Sequence, residues 1–145
     1  MNTQNLLKLA ELVENKTLVH DMRTVVSECG TTSCMMGDWI LYKRLPNHIT
    51  RIGYITVASQ EFDISIKEAA FLFNYFFNTG LRFRCRGEET KEQSLARLRK
   101  FIYYKLRKQE IFADYERART QEGNWYATSS YKQPETYNRL IGMLQ

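Results

Sequence analysis

The chain has little of what marks the specialised protein classes. Of its 145 residues only two are proline and seven are glycine, too few for a collagen-like repeat or a linker-rich polymer. The three cysteines, Cys29, Cys34 and Cys85, are an odd number and cannot all pair within one molecule. Long apolar runs are missing. A secretory signal needs about 7–15 consecutive apolar residues behind a basic start, and a membrane span about 18 or more. Polar residues interrupt the leucines of Met1–Lys16 every few positions, so that stretch reads as an amphipathic helix. With no leader and free thiols, the expected location is the cytoplasm, with no membrane partner. No Walker loop, G-x-G-x-x-G, H-E-x-x-H or acidic metal-binding cluster occurs. No cofactor, no metal and no enzymatic activity are therefore expected.

What is present is the material of a core. The chain is 43% hydrophobic and 13% aromatic, well above a disordered solvating composition. Its length falls within the usual range of about 100–200 residues per domain. The expectation is a mainly α, compact multi-helix single domain over 1–145, with at most a short β arm or hairpin. Within it, 1–80 reads as a helical scaffold, 81–121 as a basic arm and long helix, and 122–145 as an aromatic tail with a short terminal helix around Tyr137–Leu144.

Leu6, Leu9, Ala10 and Val13 recur at helical spacing and predict a first helix over Asn5–Asn15. Lys16–Glu28 has apolar residues without a clear period. Cys29-Gly30-Thr31-Thr32 reads as a turn with a threonine N-cap, opening a helix through Cys34 and Trp39 that ends near Lys43-Arg44. Residues 47–56, β-branched and interrupted by Gly53, read as a loop or a brief strand pair. Val57–Phe62 reads as helical. Ser65 and Glu68 form a capping box for a densely apolar helix from Ile66 to about Asn78. Leu81–Gly87 alternates apolar and basic residues as a strand does, and a long helix follows from Glu89 or Ser94 to Tyr115 or beyond.

Charge is unevenly placed. The whole chain carries +5, yet residues 81–113 hold ten Lys and Arg against four Asp and Glu, a net +6. On a helical projection Leu95, Leu98, Ile102 and Leu106 form one stripe, with Arg97, Lys100, Tyr104, Arg107 and Lys108 opposite. With Arg82, Arg84 and Arg86 these make a candidate basic–aromatic surface for an acidic protein partner. Nucleic acid is the competing partner, since Tyr stacks on bases and Arg meets phosphate. A solvated helix face of ordinary charge is the plainer account.

Other constellations are weaker. Cys29 and Cys34, with Cys85, His20 and His48, lack the tight C-x2-4-C spacing of structural zinc sites. A nucleophilic cysteine needs a neighbouring base that the spacing does not select. A cysteine-dependent or zinc enzyme is accordingly the least favoured alternative. Residues 57–77 have the order of a helix-turn-helix, but the exposed turn offers only Ser65, Lys67 and Glu68, and any packed helix pair closed by a capping box looks the same.

Two stretches together resemble a known family. Asp21-Met22 and then Cys29-Gly30-Thr31-Thr32-Ser33-Cys34-Met35-Met36-Gly37 match a D-M…C-G-T-x-x-C-x-x-G signature, and Ala58–Phe73 matches a following A-x-x-x-(F/L)-x-(I/L)-(S/T)-x-x-E-A-x-x-L-F block. Over residues 21–77 the chain resembles a family of small, largely uncharacterised bacterial and phage proteins. Asp38-Trp39 departs from the family's usual residues after the glycine. The resemblance implies a compact helical domain and transfers no catalytic residue. It implies a structural part for Cys29, Gly30, Thr31, Cys34 and Gly37, the last two lying one helical turn apart. The expected function is a non-catalytic phage or bacterial accessory factor that engages a host or bacterial protein.

Overall fold

A computed structural model describes residues 1–21, 32–45, 51–73, 76–78, 83–85 and 90–108. Among them run five helices and two short strand pairs, a mainly α fold. By backbone proximity the chain divides into two compact units, Met1–Leu95 and Ala96–Gln145.

Helix α1 (Thr3–Asn15) forms on the expected stripe, with Leu6, Leu9, Ala10 and Val13 buried. The Asn2 side chain accepts from the Asn5 amide at 3.0 Å, satisfying one of the free donors of the first turn. At the other end the Lys91 ammonium donates to the Glu14 carbonyl, where a cation suits the helix dipole. Strand β1 (Val19–His20) then pairs in parallel with β2 (Thr32–Ser33), a pairing the sequence did not announce.

That pairing corrects the expected start of the next helix. Thr32 is held extended, so it does not cap. Helix α2 (Met35–Lys43) begins at Cys34, whose sulfur accepts from the Gly37 amide. Cys29, Gly30 and Thr31 lie outside the described residues. α2 ends as expected beside Lys43, with Arg44 in the left-handed region at φ 55°.

Residues 51–56 are neither loop nor strand: they open helix α3 (Arg51–Phe62). Tyr54, Ala58 and Phe62 recur every four residues and are almost fully buried, and this burial outweighs the weak helix propensity of Ile55-Thr56-Val57 and Gly53. The capping box is present, with Ser65 Oγ accepting from the Glu68 amide at 3.1 Å and Glu68 accepting from the Ser65 amide at 2.9 Å. Helix α4 (Ile66–Phe73) is shorter than expected. Phe76–Asn78 is instead strand β3, antiparallel to β4 (Phe83–Cys85), with Phe76 opposite Cys85 and Phe77 opposite Arg84. The aromatic run favours a pleated strand once the alternating segment supplies a partner. Helix α5 (Lys91–Leu106) ends earlier than expected; Tyr115 and residues 122–145 lie outside the described residues.

The core of the first unit is aromatic. Trp39 of α2 meets Phe62 of α3 at 4.9 Å between ring centroids, and Phe62 stacks on Phe73 of α4 at 5.4 Å. The Tyr54 hydroxyl donates to the Phe73 carbonyl at 3.3 Å. Large aromatic faces in offset contact supply most of the burial available to so few residues.

Candidate functional site

Spacing on two helices builds a cleft in the first unit. Glu11, Leu12 and Asn15 share one face of α1, and Asp38, Leu41 and Tyr42 share one face of α2, each set at the three- and four-residue intervals that bring side chains together. With Lys16, Thr17 and Leu18 they line a cavity of about 410 Å³, within the range of small-ligand pockets.

Glu11 lines it from an exposed position, and its buried charged residues are Lys16 and Asp38, whose side chains are 4% and 5% exposed. The Lys16 ammonium donates to Asp38 Oδ2 at 3.1 Å, to Asp38 Oδ1 at 3.5 Å and to the Ser33 carbonyl at 3.0 Å. The Ser33 hydroxyl donates to Asp38 Oδ1. Burial raises the Asp38 carboxyl above the ordinary range, against the pull of the Ser33 hydrogen bond and the Lys16 charge. Burial likewise lowers the Lys16 ammonium, against Asp38. Both shifts bring the pair closer to sharing one proton as neutral groups. The neighbouring Cys34 thiol is pushed up to about 11 by burial, although the Gly37 and Met36 amides oppose it. It is protonated at neutral pH and serves as a cap.

Beside the cleft, whose lining includes the acidic Glu11, α2 ends in an exposed aromatic and basic run. Leu41, Tyr42, Lys43 and Arg44 are exposed in succession. Lys8 lies 5.2 Å from the centre of the Tyr42 ring and pairs with Glu11, while Lys43 lies 5.8 Å from the Trp39 ring. Elsewhere in the first unit, His20 Nε2 and Ser94 Oγ are 2.8 Å apart. Ser94 is fully buried, so this Ser–His contact ties β1 to α5 and offers no nucleophile to a substrate.

The residues singled out from charge land differently. Arg97, Lys100 and Tyr104 are buried, which corrects the expectation that they form an exposed face. A stripe of apolar residues shows which side of a helix is covered, but it does not show that the other side is bare. Arg107 and Lys108 are exposed at the end of α5, with Arg107 5.5 Å from the Tyr103 ring. Arg84 sits in β4 opposite Phe77; its side chain, Arg82 and Arg86 lie outside the described residues. The α3–α4 corner at 57–73 turns through Asp63 and exposes Ile66 and Lys67. Among the described residues no three His, Cys, Asp or Glu side chains gather as a metal site requires, and no helix is long and apolar enough to cross a membrane.

Lys16, Asp38 and Tyr42 were not legible as a site from charge counting, because residues 1–44 carry equal numbers of basic and acidic side chains. The usable signal was Asp38 itself, a carboxylate within the buried run Met35–Ile40 that demands a partner. Comparison of the chain with protein-family models, with curated proteins and with solved structures finds no match.

Proposed function

We propose that the chain is a non-catalytic binding protein that engages a protein partner of acidic surface through the mouth of the α1–α2 cleft. The observation that carries this reading is the exposed succession Leu41-Tyr42-Lys43-Arg44 beside a cavity. A helix C-terminus attracts Lys43 and Arg44 by its dipole alone, but the dipole gives no reason to expose Leu41 and Tyr42 next to them. Tyr and Arg are the residues that most often carry binding energy at interfaces. The positive excess of residues 81–113, exposed at Arg107 and Lys108, adds long-range attraction for the same kind of partner.

A photo-crosslinking phenylalanine at Tyr42 in the native host tests this directly. The expected product is a protein joined through an acidic segment, and Lys43→Glu with Arg44→Glu reduces its yield about tenfold, whereas Lys67→Glu leaves it unchanged. Equal yield from the rim-reversed variant would overturn the reading. Release of the retained material by nuclease would assign the surface to nucleic acid, whose affinity falls steeply with salt.

A further inference from the structure

We propose that Lys16 is a covalent acceptor for a small aldehyde or ketone held in the α1–α2 cleft, with Asp38 carrying the proton. This goes beyond the partner surface, with which the cleft shares Leu41 and Tyr42, and its test does not depend on that surface. An amine in water is protonated and hydrated, and both hinder attack on a carbonyl. Lys16 lines a cavity of about 410 Å³ while its side chain is only 4% exposed, so its ammonium is kept from bulk water. A carboxylate oxygen 3.1 Å from the nitrogen receives its proton. The Ser33 hydroxyl holds the other carboxylate oxygen and fixes the direction of transfer. The groups acting on Lys16 are Asp38, Ser33, Cys34 and Lys91. Cys34 is a neutral thiol and Lys91 a like charge, so Asp38 is the one proton acceptor among them.

The ligand class follows from the walls. Leu12, Leu18, Leu41 and Tyr42 offer apolar contact, which suits a carbonyl compound bearing an aromatic or branched aliphatic substituent. In the first step Lys16 gives a proton to Asp38 and its lone pair adds to the carbonyl carbon, forming the C–N bond as the C=O pair moves to oxygen. Asp38 returns that proton to the oxygen. A second proton then passes from nitrogen to the hydroxyl by the same carboxylate, and water leaves as the C=N bond forms. The sum is an ammonium and a carbonyl giving an iminium and one water, with nothing oxidised or reduced. The product cation stays opposite Asp38, so the ion pair survives the reaction. Buried lysines of shifted basicity are the ones that form such linkages.

The test uses the unmodified full chain. It is incubated at neutral pH with benzaldehyde and cyanoborohydride, which reduces a C=N bond to a stable amine, and the labelled positions are mapped by peptide mass spectrometry. Lys16 is expected to label at least tenfold faster than the exposed Lys43 and Lys67, with the α-amine of Met1 resolved separately. In guanidinium chloride that preference is expected to vanish. Labelling of Lys16 no faster than of Lys43 in the folded chain, or a preference that persists after unfolding, would overturn the proposal.

Discussion

A thiol at a helix N-cap meets two opposing influences, and Cys34 shows which prevails. The amides of Gly37 and Met36 favour the thiolate, but complete burial favours the neutral form and carries the thiol to about 11. The folded chain therefore holds this proton to higher pH than the unfolded chain, whose thiol titrates near 9.0. Below pH 9 the contribution is fully present, and it is lost as pH rises through 11. Urea unfolding of wild type between pH 8 and 11 is expected to lose roughly 2–3 kcal/mol relative to Cys34→Ser, which lacks the titrating group. Parallel pH profiles would refute this. Lys16, shifted the other way by burial, is present in both proteins, so the difference between the two profiles reports Cys34 together with its coupling to Lys16. The Lys16–Asp38 pair makes a second case at this scale. Asp38→Ala strands a buried ammonium, and an expected loss of about 3–5 kcal/mol follows. The double change Lys16→Met with Asp38→Leu removes both charges from a place where burial opposes each. Its midpoint is expected near that of wild type, and chemical denaturation of the three proteins decides.

Among the elements, helix ends were more readable than helix extents. The Ser65–Glu68 box sits where the sequence placed it, because a capping box is written in adjacent residues. The same grammar is present in Thr90-Lys91-Glu92-Gln93: Thr90 Oγ1 accepts from the Gln93 amide, and Gln93 accepts from the Thr90 amide, which sets the start of α5. The extents of α3 and α4 differ from the sequence expectation for a non-local reason. Whether Tyr54 belongs to a helix and Phe76 to a strand depends on what covers Tyr54 and on the pairing of Phe76 with Cys85, neither of which is local. The α2 terminus carries a further prediction. Arg44 occupies the left-handed region where a side chain costs about 1–2 kcal/mol and glycine costs nothing. Arg44→Gly is expected to raise stability by about 1 kcal/mol in thermal or urea unfolding while weakening partner capture through the cleft mouth. A destabilised variant would show that the Arg44 side chain makes contacts worth more than the strain.

At the scale of the whole molecule, formal charge and exposed charge are different quantities. The +6 of residues 81–113 is real as a count, yet Arg97 and Lys100 are fully buried and cannot touch a partner, whereas Arg107 and Lys108 are exposed. The sequence located the charge but not its burial, because a helical projection orders residues around one axis and says nothing of what packs on the far side. The consequence separates by position. Reversal at Arg97 or Lys100 places a carboxylate where a cation is enclosed, and a loss of about 3–5 kcal/mol is expected in a thermal melt followed by circular dichroism. Reversal at Arg107 or Lys108 is expected to change stability by no more than about 0.5 kcal/mol and to act on partner association alone, most visibly on its rate at low salt. If all four reversals melted alike, Arg97 and Lys100 would be as solvent-facing as Arg107, and the basic face drawn from the sequence would stand after all.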